Sequence, residues 1–188
     1  MKPLRIPLLL LSLGFAATLA ALSAVDVAGV PVPDTASAEG KTLKLNGAGL
    51  RKKLLFKVYV AALYVETPSK DGAAVISSSE VKRMRLSILR SLKGSQVTDA
   101  ISEGFERNSK DQLPKLEARL HKLEAMIPDV KEGDEIVFTW VPDKGVLVSV
   151  RGTDRGAIEG RDFGDALLSV WLGPNPVQED LKKALLGG

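Results

Sequence analysis

The run over residues 54–65, Leu-Leu-Phe-Lys-Val-Tyr-Val-Ala-Ala-Leu-Tyr-Val, holds neither Gly nor Pro and is apolar at both parities. Its aromatic and β-branched content predicts a strand. Successive strand side chains point to opposite faces of a sheet, so a strand apolar at both parities needs cover on both sides. Residues 54–65 are therefore the expected central strand, and the rest of the chain must supply two covering layers.

Further strands are expected on either side. Val25, Val27, Val30 and Val32 alternate among Gly29 and two prolines as a single short edge strand over residues 25–33, followed by a turn at Pro33-Asp34. Residues 42–45 predict a second strand, closed by Asn46-Gly47-Ala48-Gly49. Lys70-Asp71-Gly72 reads as a loop. Residues 81–89 alternate with period two, which places Met84, Leu86 and Ile88 inward. Arg83, Arg85, Arg90 and Lys93 then form a solvated face, with Lys82 opposite.

The period changes after Gly94. Ser95 or Thr98 can cap a helix carrying Val97, Ala100, Ile101 and Phe105, and Asn108-Ser109 breaks it. Leu113, Leu116, Leu120, Leu123 and Ile127 fall at steps of three and four, which predicts a second amphipathic helix ended by Pro128. Strands at residues 135–141 and 146–150 flank Pro142-Asp143-Lys144-Gly145 as a hairpin. Thr153-Asp154-Arg155-Gly156 reads as a turn, Asp162 as the cap of a helix through Trp171, and the end of the chain as a last short helix. This order predicts an α+β domain built on an antiparallel sheet.

Composition limits the chemistry. The chain of 188 residues is 45% hydrophobic and 26% charged, which excludes a disordered chain and a multi-span membrane protein. With no Cys and a single His, neither a disulfide, a thiolate nucleophile nor a Cys- or His-pair metal site can form. No metal and no cofactor are expected. The net charge of +3 gives no argument for nucleic acid. Lys2 and Arg5 precede an uncharged stretch over residues 6–25, with Ala20, Ala21, Ser23 and Ala24 gathered at its end. That is the order of a secretory signal, and the alternative is an uncleaved anchor. The expected division is a signal peptide over residues 1–24 and one domain over 25–188, with the cut after Ser23 or Ala24 and Ala36-Ser37-Ala38 as a more distant option. Cleavage lowers the charge to about +1 and leaves no membrane span. The compartment expected for such a chain is the periplasm.

Few residues carry a chemical signature. Gly47-Ala48-Gly49 lacks the third Gly of a dinucleotide loop and precedes a strand, not a helix. His121 lies off the leucine stripe beside Lys122, a surface position, and Glu159, Asp162 and Asp165 read as turn and cap acids. Arg51 and Tyr59 stand apart. Counting by twos along one unbroken strand puts both on the same apolar face. A guanidinium fork with a phenol as further donor can hold a carboxylate or a polarised carbonyl. The plainer alternative is an Arg paired with a nearby acid and a Tyr filling the core.

Leu45-Asn46-Gly47-Ala48-Gly49-Leu50-Arg51, Phe56-Lys57-Val58-Tyr59-Val60-Ala61-Ala62-Leu63-Tyr64 and Trp171-Leu172-Gly173-Pro174-Asn175-Pro176, with Leu181-Lys182-Lys183-Ala184-Leu185-Leu186, resemble the chalcone isomerase-like family, particularly its bacterial exported branch. The resemblance spans residues 27–186. It implies an open-faced β-sandwich, an antiparallel sheet wrapped by helices with a ligand cleft between them. In plant chalcone isomerases the Arg at the position of Arg51 polarises the substrate. Their hydroxyl- and amide-bearing positions are Tyr59, Val97, Gly104 and Val170 here. The related plastid fatty-acid-binding proteins pair that Arg with a Tyr on this strand, as Arg51 and Tyr59 do. The expected function is a non-catalytic binder of a fatty acid or similar amphipathic carboxylate, with Arg51 and Tyr59 at its head group. Val97, Ile101, Met84, Val170 and Trp171 would line the tail. Two rivals remain open: an isomerase or intramolecular lyase with Arg51 as electrophile, and an interaction protein whose cleft has collapsed.

Overall fold

The computed structural model describes residues 24–188; the expected signal segment up to Ser23 lies outside the described residues. Strands β1 (Ala24–Val27) and β2 (Val30–Pro33) form a separate hairpin. Strands β3 (Thr35–Ala38), β4 (Lys41–Lys53), β5 (Phe56–Val65), β6 (Lys82–Ile88), β7 (Glu135–Val141), β8 (Gly145–Val150) and β9 (Thr153–Ile158) make one curled antiparallel sheet in chain order. Helix α1 (Gly72–Ser77) joins β5 to β6, and α2 (Gly94–Ser109) and α3 (Leu113–Met126) join β6 to β7. Helices α4 (Arg161–Leu172) and α5 (Glu179–Leu185) follow β9. The domain is α+β, a sheet wrapped by helices, as the resemblance implies.

Both faces of β5 are covered, as its two apolar parities require. Ala61, Leu63 and Val65 join the main core with Met84, Leu86, Ile88, Phe138 and the apolar faces of the helices. Phe138 packs on Trp171 at 5.9 Å between ring centroids, and Phe105 on Phe163 at 5.3 Å. Val60, Ala62 and Tyr64 point the other way, into a second cluster with Val32 and Leu43 that the β1–β2 hairpin closes.

Several boundaries differ from the sequence expectation. Residues 25–33 fold as two strands because Ala28 and Gly29, with φ of 56° and 90°, form a tight turn of the kind that matches strand twist. Residues 153–156 are strand β9, since the turn lies one step earlier at Arg151 and Gly152, with φ of 55° and 71°. Asp71 is a cap, accepting from the amides of Ala73 and Ala74 at the start of α1. Helix α2 starts at Gly94, whose amide donates to Asp129 Oδ1 at 2.9 Å, so neither Ser95 nor Thr98 caps it. Asp162 sits inside the first turn of α4, behind Gly160, and takes two 2.7 Å bonds from Arg119. Ala36, Ser37 and Ala38 are strand β3, with Ala38 buried, so a cut there would remove an edge of the sheet. The leucine stripe of α3, its end at Ile127-Pro128 and the exposure of His121 follow the expected pattern.

Lys82 is the largest departure on β6. Its parity puts it on the helix side at 3% exposure, where Nζ donates to the carbonyls of Val75, Ile76 and Ser78 at 3.0, 3.3 and 2.6 Å. The ammonium thus closes the C-terminal end of α1, whose last carbonyls have no partners within the helix. Burial pulls its pKa below the usual lysine value, with Asp165 opposing. Lys82→Met keeps most of the volume but strands one buried and two half-buried acceptors. Urea unfolding should show a loss of about 2 kcal/mol; an unchanged midpoint would mean the carbonyls find water instead. Arg83 and Arg85 are half-buried, not a fully solvated face: Arg83 donates to Thr139 Oγ1, and Arg85 to the carbonyl of Pro31 in the hairpin.

Candidate functional site

The site is built on an interruption in β4. Asn46-Gly47-Ala48-Gly49 does not turn the chain; β4 runs straight through it, with register shifts at Leu45/Gly47 and at Arg51/Lys52. The glycines are there for closeness. A Cβ at Gly47 would stand 2.1 Å from the carbonyl oxygen of Ala184, and one at Gly49 would stand 2.7 Å from the Ala184 Cβ. Helix α5 therefore rests directly on the strand backbone.

An amide side chain stitches each irregularity. At the first, Asn46 Nδ2 donates to the carbonyls of Leu185 at 2.7 Å and Ser69 at 3.0 Å, and its Oδ1 accepts from the Ser69 amide. At the second, Gln178 Oε1 accepts from the Lys52 amide at 2.9 Å and from Arg51 Nη1 at 3.2 Å, while its Nε2 donates to the Leu50 carbonyl. Bulges re-aim side chains, and this one presents Arg51 inward with Gln178 holding it. Arg51 Nη1 also donates to the Lys52 carbonyl.

The real turn of this hairpin is Leu54-Leu55, which splits the expected central strand and puts Tyr59 on β5. Arg51 and Tyr59 lie on neighbouring strands, directly opposite each other in register. The shared face expected from parity holds, but it comes from cross-strand pairing. Trp171 Nε1 donates to Tyr59 Oη at 3.0 Å. With that acceptor position taken, the phenol retains its own O–H to offer. Burial raises the Tyr59 pKa, against the opposing pull of Trp171 and Arg51, so the group is a neutral donor at physiological pH.

Arg51, Tyr59, Val97, Ile101, Val170 and Trp171 all line one cavity of about 320 Å³ between the sheet and helices α2 and α4. Val58, Leu86, Leu92, Ala100 and Val177 extend its apolar wall. Its other lining residues are Leu54, Phe56, Ser91 and Gln96, the cations Lys53, Arg90 and Arg107, and one acid, Glu103, whose carboxylate lies 3.7 Å from Arg107. The volume is at the small end of the range for ligand pockets. Arg51 is half-buried, and no carboxylate lies within 4 Å of it among the described residues. The arrangement sets a guanidinium and a neutral phenol donor beside an apolar wall, in a cavity whose lining also carries Lys53, Arg90, Arg107 and Glu103.

A family model described as chalcone isomerase-like matches residues 24–187. The chain belongs to the chalcone isomerase-like family. No curated protein matches it in sequence. Among solved structures it is similar to a fatty-acid binding protein of Arabidopsis thaliana, at 15% identity and a TM-score of 0.67, over 84% of this chain and 92% of that one. At such identity the likeness shows the fold.

Within this chalcone isomerase-like domain, two expectations about individual residues change. Met84 does not line the cavity; it is fully buried in the core, and Leu86, two residues on and of the same parity, takes the wall position. Trp171 does more than offer an apolar surface, since its indole fixes the Tyr59 hydroxyl. Gln178 was not visible beforehand. It sits far along the chain in a Pro-flanked linker, and only α5 folding back onto β4 brings it to Arg51. Among the described residues, no group of three or more His, Asp or Glu side chains is arranged to hold a metal, and no helix is long and apolar enough to cross a membrane.

Proposed function

We propose that the protein is exported to the periplasm by cleavage of residues 1–24 and there binds a fatty acid or similar amphipathic carboxylate without transforming it. The observation that carries the reading is Arg51: a half-buried guanidinium facing the apolar wall of the cavity, with no carboxylate within 4 Å of it among the described residues, the cavity's own Glu103 lying beside Arg107. A ligand carboxylate supplies the missing partner, accepting from the guanidinium and from the Tyr59 hydroxyl. Its alkyl chain takes the apolar wall of Val97, Ile101 and Val170. The Arabidopsis protein of the same fold is a fatty-acid binding protein, which supports this assignment. A cut after Ser23 or Ala24 falls at the threshold of β1 and spares the sheet.

The test is native mass spectrometry of the protein recovered from the periplasmic fraction after expression with its leader. A stoichiometric adduct, identified after organic extraction as a carboxylate-bearing amphiphile, is the expected result. Protein that arrives empty and takes up no added fatty acid overturns the binding reading; protein that stays in the membrane pellet with its leader attached overturns the export.

A further inference from the structure

Among the described residues, the β4–β5 tip carries the most exposed large apolar side chains. Leu54, Leu55 and Phe56 are 89%, 97% and 57% exposed, and among the described residues no helix or strand covers them. Nothing in the fold requires leucines there. Leu54 even occupies φ of 55°, where glycine is the comfortable residue and a bulky side chain is strained. Strain kept at an exposed apolar turn points to a use outside the fold.

The surroundings say what the tip meets. Lys52, Lys53 and Lys57 flank it, all exposed, and Arg90 lies over the Phe56 ring at 4.5 Å. From residue 40 to residue 65 there is not one Asp or Glu. Acids in this part of the molecule are carried by helices: Glu103 of α2, 3.7 Å from Arg107, and Glu179 and Asp180 at the start of α5. An apolar point ringed by cations is complementary to a bilayer with anionic head groups. The carbon side chains enter the acyl boundary while the lysines remain among the phosphates.

We propose that the β4–β5 tip docks the protein on an anionic lipid surface, with Leu54, Leu55 and Phe56 inserted and Lys52, Lys53 and Lys57 at the head groups. Leu54, Phe56 and Lys53 also line the cavity, so docking turns its entrance toward the bilayer. Transfer of an amphiphile between bilayer and cavity follows only if the binding reading above holds; the docking itself stands on the tip alone.

The experiment is flotation of the chain from Ala24 to Gly188, which contains every element described, with vesicles of phosphatidylcholine alone or mixed with phosphatidylglycerol. The expected result is binding to the mixed vesicles only, weakened by salt. Lys52→Ser with Lys57→Ser should lower affinity by about fivefold for each charge removed. Leu55→Ser should lower it by about tenfold. None of these three side chains lines the cavity, and all are exposed, so the thermal midpoint and fatty-acid affinity should be unchanged. Leu55→Trp should bind more tightly and shift its emission to the blue on vesicles. Docking is overturned if the unaltered protein ignores the anionic vesicles, or if the Ser variants float as well as it does. It is also overturned if the tip serves only self-association, seen as a dimer in sedimentation that Leu55→Ser dissolves and no vesicle binding. Unaltered protein that takes up fatty acid but does not bind the anionic vesicles refutes docking alone, and docking without fatty-acid uptake refutes the cavity reading alone.

Discussion

Arg51→Ala should reduce the affinity of the cavity for a fatty acid by roughly 10- to 150-fold, while the thermal midpoint stays within a few degrees of the parent. A hydrogen bond to a charged partner contributes about 1.5–3 kcal/mol, and each 1.4 kcal/mol is a factor of ten in affinity. The fold tolerates the change because Arg51 has no carboxylate of its own among the described residues, so no buried counter-charge is stranded. Gln178 keeps the Lys52 amide as a partner when the guanidinium goes. Arg51→Lys should recover part of the loss, since it restores the charge but not the fork. The matching alkanol or methyl ester, lacking the carboxylate, should bind both proteins alike. Titration calorimetry with acid and ester against the three proteins measures this directly. Equal acid affinity in Arg51→Ala would remove Arg51 from the head-group site and leave the cavity without its ligand class.

Gly47→Ala should cost about 3 kcal/mol of stability, read as a fall in the urea midpoint, although it adds a single methyl group. The new Cβ would stand 2.1 Å from the Ala184 carbonyl oxygen and 2.8 Å from the Leu185 carbonyl. Both obstacles are helix backbone, which cannot swing aside as a side chain can. Helix α5 has to lift, and lifting it unseats Leu181 and Leu185, 1% and 0% exposed, and breaks the bond from Asn46 to the Leu185 carbonyl. Gln178, which immediately precedes α5, is dragged from Arg51 in the same movement. Amide exchange should therefore accelerate in α5, and fatty-acid binding should weaken along with stability. A midpoint within the error of the parent would show that α5 does not rest on the β4 backbone.

These two positions show how unevenly the site could be read in advance. Arg51 and Tyr59 read as a donor pair on one apolar face, but that face survives the turn only through the bulge: the two-residue turn pairs Lys53 with Phe56, of opposite parity, and the register shift at Arg51/Lys52 sets Arg51 opposite Tyr59. The glycines read as a turn in sequence and are not one in the fold, for an equally physical reason. Glycine is the residue of tight turns, but it is also the residue of close approach, and the two uses leave the same letters in the chain. Nothing local distinguishes them; the difference is a helix more than 130 residues away. The turn at Leu54-Leu55 escaped notice because no Gly, Asn or Pro marks it. The same absence singles out the tip as a feature kept for contact with something outside the fold.

The regular elements were legible where burial imposes a period. Met84, Leu86 and Ile88 alternate because one face of β6 meets the helices. Leu116, Leu120 and Leu123 repeat because one stripe of α3 does. The apolar density of residues 56–65 demanded cover on both faces, and the fold supplies helices on one and the β1–β2 hairpin on the other. By itself, then, the sequence determined the class of fold, the family and the chemical character of the Arg51–Tyr59 donor pair. Those depend on short-range periodicity and on residue type. Tertiary structure alone decided that Gln178 steadies Arg51, that Trp171 orients Tyr59 and that Lys82 closes α1. Each of these joins groups that are unrelated in sequence spacing, and each forms only when the chain folds back to bury a polar atom that must then find its partner.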